Sequence, residues 1–169
     1  NLARKLSGND SLEIDEAVYA SEKLTGNKNR ALAYMLKTYG MIQDDVEDVL
    51  DCYFRACSVK VTVVDLARIA YVFAHGGVNP ETGERLFAKE YAKHVNAVMM
   101  TCGMYDGSGE FALNVGVPAK SGVGGGIMAV VPGRMGIGIY SPALDKKGNS
   151  IAGIKALEVL GEKLDLSIF

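Results

Sequence analysis

Apolar side chains recur with the spacing of an α-helix along the first hundred residues. One stretch, 44–58, places them three or four positions apart, which predicts an amphipathic helix. Its apolar positions are Val46, Val49, Leu50, Tyr53, Phe54 and Cys57. A further helix is predicted over 29–39, where Gly40 ends it.

Two more helices are indicated before residue 104. Thr62 and Asp65 have the spacing of a capping box, ahead of a helix from Leu66 to Ala74. A later helix ends at Gly103. Its predicted apolar face consists of Tyr91, Val95, Val98, Met99 and Cys102.

After residue 108 the apolar period changes from about 3.6 to 2, the period of a β-strand. Strands are predicted over 111–117, 127–131 and 135–140. The second is almost wholly apolar, which favours a central position in the sheet. Gly136 and Gly138 in the third indicate close approach of another backbone.

A final helix is predicted over 149–164, with Asn149 as its N-cap. Helices followed by an antiparallel meander and one more helix indicate an α+β fold. The helical part is expected to span about 1–103 and the sheet with its helix about 104–169. Because three strands make a small sheet, we expect strands from elsewhere to extend it.

Composition excludes several classes of protein. The chain has 169 residues, about one domain, and a net charge of −2. Nothing in it suggests a nucleic-acid partner. No apolar run approaches the length of a membrane span. The first six residues lack the apolar core of a signal peptide, which favours a cytoplasmic location.

The cysteines indicate neither disulfides nor a metal centre. There are three of them, Cys52, Cys57 and Cys102, an odd number without a Cys-x-x-Cys pair. Only two histidines could join them as ligands. We therefore expect buried, reduced thiols and no metal.

Two short segments carry the chemistry. Lys120-Ser121-Gly122 comes after the first predicted strand, and a Lys-Ser/Thr-Gly triplet on a strand lines the active site of serine β-lactamases and penicillin-binding proteins. Tyr105 lies in the earlier segment, Gly103-Met104-Tyr105-Asp106. The Ser-x-x-Lys motif of that superfamily is absent, since no serine in the chain has a lysine three positions on.

Together with other segments, these motifs resemble the serine-dependent glutaminases, which are amidohydrolases with a β-lactamase-like fold. The matching segments include Ser21-Glu22, Asn29-Arg30-Ala31, Cys52-Tyr53-Phe54, Gly76-Gly77-Val78-Asn79-Pro80, Cys102-Gly103-Met104-Tyr105-Asp106, Val117-Pro118-Ala119-Lys120-Ser121-Gly122 and Gly148-Asn149-Ser150. The family places its Ser-x-x-Lys motif before these segments. The resemblance therefore implies the C-terminal portion of a glutaminase domain, with the N-terminal part of the fold lying outside the chain.

The resemblance also implies roles for particular residues. Tyr105 would be the proton shuttle. A nearby cation would favour its phenolate form, and Lys120 offers one if its strand lies beside the glycine-rich loop. The backbone N–H of Val123 would donate to the oxyanion. Glu22 would bind the substrate ammonium, whereas Asn29 and Tyr53 would donate to its carboxylate.

From the residue types alone, plainer interpretations stay open. Tyr105 could be a half-buried tyrosine with a bonded hydroxyl. Glu22 could be a solvated side chain and Asn29 a helix N-cap. The ring of Tyr53 lies on the apolar stripe of its helix, so it could belong to the core.

The leading hypothesis is conversion of L-glutamine and water to L-glutamate and ammonia, through an acyl-serine and without a cofactor. The alternatives are a non-catalytic fragment that binds glutamine or glutamate, and a related acyl-serine hydrolase of the penicillin-binding superfamily. The resemblance also implies a homo-oligomer in the intact protein.

Overall fold

The computed structural model describes residues 2–169, which form two compact units. One unit is Ser11–Lys60, and the other is Val61–Phe169 together with the N-terminal residues up to Asp10. Each unit has its own apolar core. Among residues 2–169, each helix is too short or too polar to span a lipid bilayer.

Helices precede the sheet along the chain. In chain order the elements are α1 Leu2–Ser7, α2 Glu16–Thr25, α3 Asn27–Thr38, α4 Val46–Cys57, α5 Val63–Ala74, α6 Lys89–Cys102, a 3₁₀ turn Tyr105–Gly107, α7 Ser108–Asn114, β1 Ala119–Ser121, β2 Gly126–Val131, β3 Met135–Tyr140 and α8 Ile151–Leu164. The order of helices, antiparallel strands and a last helix confirms the α+β prediction.

The unit Ser11–Lys60 consists of α2, α3 and α4 around the buried ring of Phe54. The predicted helix over 44–58 is confirmed as α4, and Asp45 caps it by accepting from the Glu47 and Asp48 amides. Gly26 lies between α2 and α3, where a Cβ atom would be 2.5 Å from Cζ of Phe54. Only glycine therefore lets the chain pass so close to the core ring.

One carboxylate connects α2 to α4. Asp51 accepts from Nζ of Lys23 at 2.8 Å, from Nε of Arg55 at 2.8 Å and from the Tyr19 hydroxyl. The Arg55 guanidinium also lies 4.5 Å from the centre of the Tyr19 ring. These donors, Lys23 foremost, hold the pKa of Asp51 well below its usual range.

In the larger unit, a three-stranded antiparallel sheet lies between helices. The strand order is β1-β2-β3, which confirms that the apolar strand β2 is central. Ile127, Ala129 and Val131 of β2 pack in one cluster with Leu157 of α8. The alternate residues of β2 pack with α5 and α6 in another cluster, which includes Met128, Val130, Ala70 and Met99.

The glycines of β3 let α5 approach the sheet closely, as the sequence indicated. A Cβ atom on Gly136 would be 2.1 Å from the carbonyl oxygen of Ala67. One on Gly138 would be 2.1 Å from that of Val63. Helix α5 therefore packs with its backbone against these positions of β3.

The predicted capping box at the start of α5 is confirmed, although the helix begins at Val63 and not at Leu66. The Asp65 amide donates to Oγ1 of Thr62 at 3.2 Å, and the Thr62 amide donates to Oδ2 of Asp65 at 2.8 Å. Nδ2 of Asn9 donates to the other Asp65 oxygen at 3.0 Å. These bonds fix the first turn of the helix.

The strand predicted over 111–117 is wrong, because residues 108–114 form α7. Phe111 and Val115 are buried together, as four-residue spacing on a helix allows. Leu113, which a strand would have placed on their side, is 85% exposed. The strand here is the short β1, which contains Lys120 and Ser121 themselves.

Three further expectations are also corrected. Ser150, not Asn149, caps α8, because Oγ of Ser150 accepts from the Gly153 amide. The three cysteine side chains are exposed, not buried. On α6 the buried positions are Ala92 and Met99, while most of the predicted apolar face, namely Tyr91, Val95, Val98 and Cys102, is exposed.

We predict that Gly138→Ala lowers the free energy of unfolding by about 1–3 kcal/mol, the usual cost of overpacking. The added methyl group would force α5 away from β3. Urea unfolding followed by circular dichroism measures the change. Gly109→Ala is the matched control, because Gly109 lies in α7 with open space at its Cβ position. Equal effects of the two substitutions would contradict the close packing.

Acid should weaken the connection between α2 and α4. The pKa of Asp51 is depressed in the folded chain, so its ionised carboxylate stabilises the fold. This stabilisation is fully present above the pKa of the unfolded chain, about 3.9, and is lost as pH falls through the pKa of the folded chain. The difference in unfolding free energy between the unsubstituted chain and Asp51→Asn should be largest near neutral pH and should vanish in strong acid. A difference that does not change with pH would contradict this prediction.

Candidate active site

Tyr105 begins the 3₁₀ turn that follows α6, and its backbone is unusual. Its φ angle is 51°, a left-handed conformation that a bulky residue rarely adopts. Ser108 supports the turn, since its Oγ accepts from the Met104 amide at 3.0 Å and donates to the Tyr105 carbonyl at 2.8 Å. The local hydrogen bonds therefore hold Tyr105 in a conformation that costs free energy.

The turn lies directly against β1. The Ser121 amide donates to the Gly103 carbonyl at 3.0 Å. A Cβ atom on Gly103 would be only 1.8 Å from the carbonyl oxygen of Ala119. No larger residue fits there, so this contact fixes the distance between the turn and the strand.

This contact brings Tyr105 and Lys120 together. Nζ of Lys120 lies 4.6 Å from the centre of the Tyr105 ring, within the range of a cation–π interaction. The same ammonium donates to the Ser121 carbonyl, and the Tyr105 hydroxyl lies 3.5 Å from that oxygen. The phenol is 39% exposed, so a ligand can reach it.

Val123 lies beside the same ring. It is part of a turn closed by the hydrogen bond from the Gly125 amide to the Gly122 carbonyl, at 2.9 Å. A Cβ atom on Gly148 would be 3.7 Å from Cε2 of Tyr105 and 3.9 Å from Cγ1 of Val123, so the two side chains flank one spot. Within residues 2–169, the Val123 N–H has no hydrogen-bond acceptor.

Asn149, which the sequence pattern predicts as a helix N-cap, lies in this region. Its side chain is buried, with 1% exposed. Its Oδ1 accepts from Oγ of Ser121 at 2.5 Å, and its Nδ2 donates to the Met104 carbonyl at 3.0 Å. The Gly148-Asn149-Ser150 motif was the available signal, but a helix cap and an internal bridge look alike in a sequence.

A small cavity of about 200 Å³ adjoins the turn. Gly107, Glu110, Asp145 and Asn149 are among the residues that line it. Nζ of Lys147 donates to Oε2 of Glu110 at 2.8 Å across this cavity, and that carboxylate raises the pKa of the lysine. The ion pair connects the loop before α8 to α7.

Glu22, Asn29 and Tyr53 all belong to the unit Ser11–Lys60, on α2, α3 and α4 in turn. Asn29 is not the N-cap of α3, because Gly26 holds that position. The Tyr53 ring is half exposed and lies 5.9 Å from the Phe54 ring, edge to face. The structure thus brings Tyr105, Lys120 and Val123 together, whereas convergence of the other three residues with them stays a prediction.

An antiparallel sheet between helices, with a Lys-Ser-Gly strand beside a tyrosine turn, defines a β-lactamase-like fold. The family model described as Glutaminase matches residues 1–169, and the chain belongs to the glutaminase family. This confirms the family resemblance of the sequence.

Relatives and solved structures agree with this assignment. Glutaminases from Clostridium tetani and Clostridioides difficile are each 61% identical over 166 residues, which cover 98% of this chain and 54% of theirs. A Bacillus glutaminase crystallised with 4.3 M NaCl superposes with a TM-score of 0.93 at 44% identity, over 99% of this chain and 58% of that one. A Bacillus subtilis glutaminase in covalent complex with 5-oxo-L-norleucine gives a TM-score of 0.94 at 44% identity, over 99% and 60%. The chain spans about half the length of the curated relatives it matches.

The contact between Gly103 and β1 can be tested directly. We predict that Gly103→Ala raises the hydrogen-exchange rate of the Ser121 amide by about tenfold or more, because the methyl group would push the turn off the strand. The φ angle of Gly103 is −71°, which alanine adopts freely, so the effect would be steric.

Gly124→Ala is the matched control, because Gly124 has open space around its Cβ position. Protection of Ser121 should be unchanged in it. Unchanged exchange in Gly103→Ala as well would show that the turn does not depend on this contact.

Proposed function

We propose that the protein containing this chain hydrolyses L-glutamine to L-glutamate and ammonia through an acyl-serine intermediate. The observation that carries the proposal is the grouping of Tyr105, Lys120 and Val123 beside β1, in a chain of the glutaminase family. The nucleophilic serine and its lysine would come from a Ser-x-x-Lys segment outside residues 1–169.

In the proposed reaction, Tyr105 moves the proton. The serine oxygen would bond to the side-chain amide carbon of glutamine, while the phenolate of Tyr105 accepts the hydroxyl proton. Tyr105 would then protonate the leaving nitrogen, so that the C–N bond breaks and ammonia departs. In the second half, water would give its proton to Tyr105 and attack the acyl group, and the proton would return to the serine. The ammonium of Lys120 lies 4.6 Å from the centre of the ring, and we assign it the role of the cation beside the proton shuttle in each half.

The Val123 N–H is proposed to stabilise the oxyanion. Negative charge develops on the amide oxygen when the tetrahedral intermediate forms, and a fixed donor aimed at it lowers the barrier. The glycines on both sides of Val123 leave its backbone accessible. Two observations favour this role: its N–H has no acceptor within the described residues, and its side chain and the Tyr105 ring both lie within 4 Å of the Cβ position of Gly148.

The substrate head group is proposed to bind to Glu22, Asn29 and Tyr53. The carboxylate of Glu22 suits the α-ammonium group, and the Asn29 amide and Tyr53 hydroxyl suit the α-carboxylate. Glu22 and Asn29 are partly buried, and Tyr53 is half exposed. Such side chains can contact a ligand and still be held by their helices.

Three further parts complete the proposal. The protein would need no metal or organic cofactor, because serine, tyrosine and backbone donors supply the chemistry. It would work in the cytoplasm, and it would form a homo-oligomer.

The alternative function is binding of glutamine or glutamate without turnover. It is favoured by one observation, namely that no serine of residues 1–169 has a lysine three positions on. Residues 1–169 expressed alone would then bind L-glutamate in a calorimetric titration, and the protein from which they come would release no ammonia.

Ammonia release from L-glutamine by the protein that carries residues 1–169 with its Ser-x-x-Lys segment tests the proposed function. Reaction with 6-diazo-5-oxo-L-norleucine should also add one inhibitor residue to the intact mass, as in the complex of the Bacillus subtilis relative. Neither ammonia nor an adduct would be found if the protein only binds its ligand.

We predict that Tyr105→Phe lowers kcat by about 10² to 10⁴ with little change in KM, the usual effect of losing a positioned acid–base group. Phenylalanine keeps the ring but removes the ionisable oxygen, so folding should survive. Steady-state kinetics with ammonia as the readout, beside a thermal melt, measures both quantities.

Tyr91→Phe is the matched control, because the Tyr91 ring is exposed on α6. This substitution is expected to leave kcat unchanged. An increase in KM alone would assign Tyr105 to ground-state binding. A lower melting temperature with unaltered kinetics would make its role structural.

A further inference from the structure

The side chain of Asn149 connects two segments that are far apart in sequence. Both ends of its amide are used, since Oδ1 accepts from Oγ of Ser121 and Nδ2 donates to the carbonyl of Met104. All three residues are buried, so water does not compete for these bonds. The amide therefore forms a direct bridge between β1 and the turn after α6.

The two partners of Asn149 are the immediate neighbours of the proposed catalytic side chains. Ser121 follows Lys120 on β1, and Met104 precedes Tyr105 in the turn. The left-handed backbone of Tyr105 persists only where its surroundings hold it. A bond to the carbonyl of Met104 acts at the peptide group that leads into this strained residue.

Asn149 is itself held by its own loop. Its backbone N–H donates to Oδ1 of Asp145 at 2.9 Å, and the backbone N–H of Asp145 donates to the backbone carbonyl of Asn149 at 2.8 Å. A Cβ atom on Gly107 would be 3.3 Å from Nδ2 of Asn149, so the loop also packs on the far end of the turn. The bridging amide is thus fixed before any ligand binds.

We propose that Asn149 is a positioning residue, which sets the place of Tyr105 relative to Lys120 through its bonds to Met104 and Ser121. It does not touch the reacting atoms. The inference rests on the proposed function, because Tyr105 and Lys120 matter through that reaction. Small displacements of catalytic groups reduce rates strongly, about a hundredfold for 1 Å.

The first test is Asn149→Ala in the protein that carries the Ser-x-x-Lys segment. Loss of both bonds should lower kcat by about tenfold to a hundredfold and leave KM within about twofold, because the head-group residues are on other helices. A kcat within about twofold of the unsubstituted protein overturns the proposal.

Asn149→Asp provides a sharper readout, because it has nearly the same shape. The carboxylate keeps an acceptor for Ser121 but cannot donate to the Met104 carbonyl. Burial raises the pKa of such a carboxyl, and protonation at lower pH restores a donor. Its kcat relative to the unsubstituted protein should therefore rise as pH falls, whereas that of Asn149→Ala should not. A ratio that is flat with pH for both variants overturns the proposal.

Asp65→Asn is the matched control for stability. The Asp65 carboxylate is buried at the start of α5, away from the turn, and accepts hydrogen bonds from Asn9 and Thr62. The substitution weakens these bonds, so it should lower the melting temperature without lowering kcat. If it lowers kcat as much as Asn149→Ala does, lost stability explains both results and the proposal fails.

A structural readout separates this inference from the proposed function. In protein labelled with ¹³C at tyrosine rings, the signal that disappears in Tyr105→Phe reports the surroundings of Tyr105. It should shift in Asn149→Ala and stay in place in Asp65→Asn. If the unsubstituted protein releases no ammonia, the proposed function fails, and this signal still decides the positioning: an unshifted signal in Asn149→Ala overturns it.

Discussion

The contact between Gly103 and β1 is the constraint on which the candidate site depends. The turn after α6 lies against the carbonyl of Ala119 with no room for a side chain, and the Ser121 amide completes the attachment. Any residue with a Cβ atom would separate the turn from the strand. Because Tyr105 and Lys120 come from these two segments, this backbone contact limits how far apart their main chains can lie.

The strand that receives this turn is itself held by the core. β1 has only three residues and pairs with β2, whose alternate side chains are buried in clusters on both faces of the sheet. Helix α5 reaches one face closely because Gly136 and Gly138 remove side chains from β3. β1 and β2 thus connect Lys120 to the buried clusters of the larger unit.

What could be predicted from the sequence follows a physical rule. Segments whose pattern and packing agree were assigned correctly, as with β2, β3, α4 and the capping box of Thr62 and Asp65. Residues 111–117 were assigned wrongly because burial of Phe111 and Val115 satisfies helix spacing as well as strand spacing, and only Leu113 distinguishes the two. Local pattern does not determine which side of a helix finds a partner, and this explains the errors at α6 and at the cysteines.

The candidate site divides in the same way. Tyr105, Lys120 and Val123 are proposed site residues because short motifs carry them, and the structure groups them beside β1. The bridging role of Asn149 was missed because it depends on a partner forty-five residues away, the Met104 carbonyl, which no local pattern specifies.

In the smaller unit, the residues proposed to bind the substrate head group are held on helices without being fully buried. Tyr53 is half exposed, whereas its neighbour Phe54 is buried in the core of this unit. Glu22 lies on α2, which the bonds of Asp51 to Lys23 and Tyr19 join to α4. The head-group role proposed for Glu22, Asn29 and Tyr53 would benefit from this arrangement, because side chains on joined helices require less ordering on binding than side chains on loops.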